Sequence, residues 1–338
     1  MKKIPVEQAV GCALCHDLTE MRDGFKGVAF KRNHVITSDD LEHLLNMGKR
    51  HVFVWDPDVE EVHEDECALR MAAACAVEGA HFEGPSEGKV VLKADRDGLF
   101  TVDLDLLEKL NNIPDVTVST LPNHYPVQAG CRLSSMRIVP LVTQKRNISL
   151  FEDLCRKGNL FQLLPYRNLK VGIIITGSEI YHHRIEDRFE KVLRRKLHKF
   201  PAQILGTEIC DDELDMIVGA AERFLHLGAG LLIFTGGMSV DPDDLTPSAV
   251  RKLGADIRAY GVPSQPGNMS LVAYLNDVAV LGVPGAAISM PTTTLDVFLP
   301  RIFTGVQFTG EDLNRLANGG LCQLCGNCHY PNCTFGRY

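Results

Sequence analysis

The sequence predicts an α/β protein: a doubly wound, mostly parallel sheet preceded by smaller β and α+β modules. Three observations carry this expectation. Between Leu169 and about Gly305, apolar β-branched runs alternate with amphipathic helical stretches, the pattern of right-handed βαβ units with helices on both faces of a sheet. Glycine closes three of those apolar runs, where a strand must turn toward a helix. From Lys89 to Val142 the runs are shorter and broken by turn residues, which describes a small β or α+β module.

Taken in order, the segment to about Asp65 holds the strand patterns KGVAF and HVFVW. Between them lies LEHLLNMG, a helical stretch whose polar lead TSDD supplies N-cap side chains. HEDECALRMAAACAVEG reads as a helix because it is rich in Ala and Leu, acidic at its start and closed by Gly79. KVVLKADRDGLFTV, DVTVSTLPNHYPV and CRLSSMRIVPLV supply the short strands, and ISLFEDLCRKGNLFQLLPYRN reads as a helical connector ended by proline. The main domain then takes LKVGIIIT, AQILGTEI, AGLLIFT and VAVLGVPG as strands. Its helices are DRFEKVLRRKLHKF, DELDMIVGAAERFLHLG, TPSAVRKLG and AAISMPTTTLDVFLPRI. The chain is thus expected to divide into an N-terminal α+β segment 1–65, a β-rich module and connector 66–167, an α/β domain 168–305 and a Cys-rich tail 306–338.

Composition narrows the function classes. A chain of 338 residues that is 45% apolar suits two or three cores rather than one. With 35 basic against 43 acidic residues, a net charge of −8 and no run of like charge, nucleic acid and polybasic membrane anchoring are not expected. The opening MKKIPVEQAVG lacks the apolar core of a secretory signal, and no run approaches the roughly 18 apolar residues of a membrane span, so the expected location is the cytoplasm. Eleven cysteines, four of them crowded into the last seventeen positions, fit reduced thiols with one metal site better than a disulfide framework.

In an open α/β sheet, ligands bind outside the carboxyl ends of the strands. Three glycine-marked strand ends fall on that edge: Thr176-Gly177-Ser178-Glu179, Thr235-Gly236-Gly237-Met238-Ser239, and Gly282-Val283-Pro284-Gly285-Ala286. Glycine there permits positive φ and a close approach of backbone N–H groups to an anion. The same edge collects Glu179, Asp187, Asp211, Asp212, Asp241, Asp243 and Asp244. Asp211 and Asp212 also read as caps of the helix that follows, and Asp243 and Asp244 as turn residues before TPSAV. Carboxylates repel phosphate unless a divalent cation lies between them. Mg²⁺ commonly bridges one or two carboxylates to phosphate oxygens, so TGGMSVDPDD suits a phosphorylated ligand that arrives with a metal.

At these residues the chain resembles the molybdopterin-binding fold shared by molybdopterin molybdotransferases (molybdenum insertases) and molybdopterin adenylyltransferases. TGGMSVDPDDLTP is similar to their Thr-Gly-Gly signature, and IPVEQAVGCALCHDL resembles the insertase opening. VQAGCRLSSMRIVPLV, VGIIITGSEI, EICDDELDMI, QPGNMS and GVPGAAIS follow in insertase order. The resemblance implies a molybdopterin or adenylylated molybdopterin ligand held by Thr176, Gly177, Ser178, Glu179, Thr235, Gly236, Gly237, Met238, Ser239, Pro266, Gly267, Pro284 and Gly285. It also implies Mg²⁺ at Asp241 and Asp244, and chemistry on the phosphoanhydride at Asp211, Asp212 and Asp244. Implied partners are a second copy of the chain in a homodimer and a molybdoenzyme or its maturation factors. A noncatalytic carrier or redox-responsive regulator is the competing expectation, since the family's Lys-Pro-Gly-Lys loop is here Gln265-Pro266-Gly267-Asn268 and both cations are gone. Ser178 replaces the usual Asp of Thr-Gly-Asp-Glu-Leu, and Pro-Gly-Asn-Pro becomes Pro284-Gly285-Ala286-Ala287.

The tail GGLCQLCGNCHYPNCTFGRY lies outside that resemblance. Cys322, Cys325, Cys328 and Cys333 are spaced nearer to an iron–sulfur run than to a zinc ribbon, whose pairs are normally split by a dozen or more residues. An iron–sulfur cluster, Zn²⁺ and free thiols all remain open on spacing alone. Cys12 and Cys15 read as small structural thiols, His182 and His183 as exposed loop histidines, and Trp55 as a core residue.

Overall fold

The structure is a computed structural model that describes residues 1–22, 25–56, 59–238 and 244–337. The chain divides into two compact units. One comprises Met1–Lys93, Asp103–Leu121 and Arg132–Phe161, the other Ala94–Val102, Pro122–Cys131 and Gln162–Tyr338. The span 66–167 is therefore divided between the two units, and the tail belongs to the second. Strand pairing between distant segments decides this, and composition along the chain carries no signal of it.

The first unit opens with Lys2–Pro5 paired antiparallel to His51–Val54 and with the hairpin Leu18–Arg22/Phe25–Phe30. Val6, Leu14, Leu44 and Val52 fill the small core beneath them. Its larger part is a four-stranded antiparallel sheet of Ala80–Ser86, Lys89–Ala94, Arg132–Ile138 and Val116–Thr120, with helices Glu64–Ala74, Leu104–Asn111 and Lys145–Cys155.

The second unit contains the α/β domain. In chain order it runs β1 (Leu169–Thr176), α1 (Ser178–Tyr181), α2 (Phe189–Leu197), β2 (Ala202–Cys210), α3 (Leu214–His226), β3 (Leu231–Thr235) and α4 (Thr246–Lys252). It continues with β4 (Asp256–Tyr260), β5 (Leu271–Leu275), β6 (Val278–Val283), α5 (Ala286–Ser289), α6 (Thr294–Thr304) and α7 (Gly310–Arg315). The sheet order is β2-β1-β3-β6-β5-β4, with β2, β1, β3 and β6 mutually parallel and β5 antiparallel to both neighbours. All four strands expected from the sequence are present, and the doubly wound reading holds. Strand β1 shows why: Val171, Ile173 and Ile175 turn to one face, against Phe189 and Leu193 of α2 and Phe298 of α6. Ile174 turns to the other face, with Ile217 and Phe224 of α3. Both sides of the strand are dry, as its unbroken apolar run demands.

Three local expectations need correction. Phe161–Pro165 is a strand, not the end of a helical connector, and it joins Gly98–Val102 and Tyr125–Val127 in a three-stranded sheet. AAISMPTTTLDVFLPRI is two helices, because Pro291 interrupts the run and Asp296 Oδ2 accepts the Thr293 N–H at 2.8 Å to begin α6 afresh. Strands β4 and β5 are additions at the sheet edge. Their sequences, DIRAY and LVAYL, are short and lie between turns.

Candidate functional site at the carboxyl rim of the sheet

Register brings the strand ends together. Thr176 stands opposite Cys210, Ile175 opposite Thr235, and Thr235 opposite Val283, so β1, β2, β3 and β6 all stop along one line. The segments that follow each of them carry the residues singled out by the sequence.

After β1, Gly177 takes φ +145° and leads into the single turn of α1. The Ser178 N–H donates to Asp212 Oδ2 at 2.9 Å, so a carboxylate from the β2–α3 loop occupies the start of this turn. Glu179 folds its carboxylate back over Gly177. Asp211 meets His182, with Oδ2 3.0 Å from Nε2. The Asp212 backbone N–H is the largest influence holding the Asp211 carboxyl below its ordinary pKa, and Ser178 and His182 add to it. Asp211 and Asp212 therefore do not cap α3, whose N-cap is Glu213 without a side-chain bond. They reach across to the neighbouring loop. His182, read as an exposed loop histidine, is half-exposed yet partnered with a rim acid.

After β3, Gly236 and Gly237 take φ +85° and +53°. A Cβ on Gly236 would lie 1.9 Å from the Thr176 carbonyl oxygen, so only glycine lets this loop cross the end of β1. Thr246, at the start of α4, donates to the Gly236 carbonyl at 2.9 Å and lies 3.4 Å from Thr176 Oγ1. Sequence reading missed Thr246; the Thr-Pro that opens α4 was its only signal. Thr235 is fully buried, and its hydroxyl oxygen has no hydrogen-bond partner among the described residues. A buried hydroxyl so placed is unusual in a native fold. Met238 is buried and packs on Gly282, while its carbonyl accepts from Tyr260 Oη at 3.2 Å. Ser239, Asp241 and Asp243 lie outside the described residues. Asp244 is half-buried, and burial first, then the Asp244 charge, raises the Tyr260 hydroxyl above its ordinary pKa.

The Pro-Gly loop is fastened to α6. The Pro266 carbonyl accepts from Thr294 N at 3.2 Å, and the Gly267 carbonyl accepts from Ser270 Oγ at 2.6 Å and Thr294 Oγ1 at 3.0 Å. Pro284 and Gly285 precede α5. Gly285 has φ −53°, so the positive φ expected at all three glycine turns is absent from this one. Asp187 caps α2, taking the N–H groups of Phe189 and Glu190 at 2.8 and 2.9 Å, which removes it from the set of free rim acids. Beside it opens a cavity of about 590 Å³ lined by Ile180, His183, Arg184, Asp187 and Ile209. The cavity that holds Tyr166, Lys196 and Asp296, about 400 Å³, shares no residue with the rim.

Among the described residues no three acidic, histidine or cysteine side chains close on one point. The Asp211–Asp212 pair and Asp244 thus make no cage by themselves. A cation that takes one or two carboxylates and completes its shell with water and ligand phosphate still fits this donor set.

The fold and the rim define a doubly wound α/β domain whose glycine turns and acids are gathered where such domains bind nucleotides and other phosphorylated ligands. Residues 172–304 match the family described as a probable molybdopterin binding domain. Residues 3–56 match a domain of unknown function. The chain is 32% identical over 124 residues to molybdopterin molybdenumtransferase of Bacillus subtilis, covering 34% of this chain and 28% of that one. It is 24% identical over 283 residues to the Haemophilus influenzae protein of the same name, covering 80% and 64%. The chain therefore spans less than two thirds of the length of these relatives. Among solved structures it is similar to the molybdopterin biosynthesis enzyme MoaB of Thermus thermophilus, at 20% identity and a TM-score of 0.35, covering 40% of this chain and 97% of that one.

Proposed function

We propose that this protein binds molybdopterin or adenylylated molybdopterin at the carboxyl rim and serves in molybdenum cofactor biosynthesis as a molybdotransferase. One observation carries the reading: within the family-matched domain, register aligns the Thr176, Thr235 and Val283 strand ends and draws Asp212 onto the Ser178 turn. In this reading the Gly236–Gly237 loop and the Pro266–Gly267 loop hold the phosphate end of the ligand, and the buried Thr235 hydroxyl gains its missing partner there. Arg184, lining the open cavity beside the first turn, supplies positive charge that Gln265 and Asn268 do not. Asp211, Asp212 and Asp244 would hold Mg²⁺, which supplies charge neutralisation between carboxylate and phosphate. Water would hydrolyse the phosphoanhydride to AMP and the pterin phosphate, and the two dithiolene thiols would displace one molybdate oxygen, which leaves as water carrying their protons. The same reading takes the protein to be a cytoplasmic homodimer and the tail cysteines to hold iron–sulfur or zinc.

The test is AMP release from adenylylated molybdopterin with molybdate and Mg²⁺. We expect turnover in the native chain and a loss on the order of 100-fold in Asp212→Asn, the size of effect typical for a group acting on charge in the transition state. Tight pterin binding without AMP release would sink the transferase part and leave a carrier.

A further inference from the structure

The pterin site at the rim uses no residue of the tail, although the tail is firmly held. Tyr330 is half-buried and donates from Oη to the Asp296 carbonyl at 2.9 Å. Arg337 lies 4.2 Å over the Tyr125 ring, and its guanidinium donates to the Pro331 carbonyl at 2.7 Å. The Gly336 N–H donates to the Gly319 carbonyl at 2.9 Å. Between these anchors the chain from 322 to 333 arches over Met290–Thr292, and Cys322, Cys325, Cys328 and Cys333 line one cavity of about 350 Å³ with Met290 and Phe335. All four thiols are free.

A single zinc would draw four sulfurs to about 2.3 Å from one point. These thiols are not so gathered: among the described residues no three potential ligands close on a common point, yet all four cysteines border the same mainly apolar space. Ligands spread around a cavity suit a polynuclear core, whose thiolates bind different irons, better than a point cation. The apolar side chains would shield such a core from solvent.

The arch is also joined to the proposed pterin site. Leu321 forms a parallel bridge with Gln265: the Gln265 N–H donates to the Gly320 carbonyl at 2.7 Å, and the Cys322 N–H donates to the Gln265 carbonyl at 2.8 Å. The first cysteine thus hangs from the residue preceding Pro266-Gly267. A second tie is Cys328 Sγ, 3.0 Å from Thr292 Oγ1 just before α6.

We propose that Cys322, Cys325, Cys328 and Cys333 hold an iron–sulfur cluster in this cavity, and that cluster loading stiffens the Pro266–Gly267 loop through the Gln265–Leu321 bridge. The cluster stands on the tail alone; its effect on pterin binding rests on the molybdopterin reading. The test is anaerobic reconstitution of the full chain with ferrous iron and sulfide, against zinc alone, in the native protein and in the Cys325→Ser, Cys328→Ser double variant. Both positions are exposed, so the variant should fold, and circular dichroism checks this. We expect about two to four irons with matching sulfide per chain and visible charge-transfer absorbance, both lost in the variant. Amide exchange across residues 261–270 should slow several-fold on loading in the native chain only. One zinc per chain without sulfide uptake, or iron uptake unchanged in the variant, overturns the cluster. A loaded cluster with unchanged loop exchange overturns the coupling. Because iron, sulfide and exchange are read without pterin, failure of the molybdopterin reading leaves these outcomes intact.

Discussion

At the carboxyl rim, the strand ends are positioned by register: Thr176, Cys210, Thr235 and Val283 are matched across four strands, and the loops leave from fixed points. In the tail, four thiols sit on an arch with little regular structure, and a few side-chain anchors hold its ends. The first arrangement spreads the cost of placing a ligand-binding group over a buried sheet. The second concentrates it in Tyr330 and Arg337. A site built on register should therefore fail together with the domain, whereas a site built on anchors should come loose while the domain stays folded.

The largest expected effect tests the rigid side of that contrast. Lys196 of α2 and Asp296 of α6 form a buried pair at 2.6 Å, with the Lys196 ammonium also donating to the Pro291 carbonyl. Removing one partner leaves an uncompensated buried charge, so Lys196→Met should cost about 3 to 5 kcal/mol in urea unfolding. A loss under about 1 kcal/mol would mean that α2 and α6 are not held as described. Next, Gly236→Ala drives a Cβ into the Thr176 carbonyl at a positive φ, and we expect a loss of about 2 to 3 kcal/mol together with loss of pterin binding. Retained stability with lost binding would separate loop from sheet and weaken the contrast.

Smaller effects belong to the tail side. His124 lies near Arg301 and Arg337, and burial first, then the Arg301 charge, lowers its pKa to about 4. The unfolded chain takes up this proton near pH 6.5, before the folded one does. Stability should therefore be unaffected by His124 above about pH 7.5 and fall as pH drops from 6.5 toward 4, by about 3 kcal/mol at the acid end. His124→Asn, which tolerates the positive φ of 55° at this position, should flatten that part of a melting-temperature profile against pH. An identical acid profile in the variant would remove His124 from the account. Finally, Arg337→Ala should cost only about 1 kcal/mol of global stability. Amide exchange across 320–335 should accelerate while exchange in β1 and β3 is unchanged; equal acceleration in both would show that the tail is part of the sheet's cooperative unit.

What could be read from the sequence follows the same division. The four parallel strands were legible because each is an apolar β-branched run buried on both faces, as in Val171–Ile175. The rim glycines were legible because steric exclusion at Gly236 and Gly237 leaves few alternatives. Strands β4 and β5 were not, since they are short and take their structure from pairing at an edge that no local signal announces. Nor was the destination of Asp212: as the residue before Glu213 it looks like a helix cap, and only the parallel register of β1 with β2 brings it to Ser178. The assignment of 94–102 and 122–131 to the second unit depends likewise on long-range pairing. The departures from the insertase pattern at Gln265 and Asn268 were visible from the start, but not that Gln265 also anchors the tail.

The claim on which the account turns is that the rim holds a pterin phosphate. Anaerobic purification from a host that makes molybdopterin, followed by oxidation of the bound pterin to its fluorescent form and mass spectrometry, tests it most directly. The account predicts close to one pterin per chain in the native protein and at least a tenfold reduction in folded Gly236→Ala. A native chain free of pterin, or Gly236→Ala retaining as much as the native chain, would contradict it.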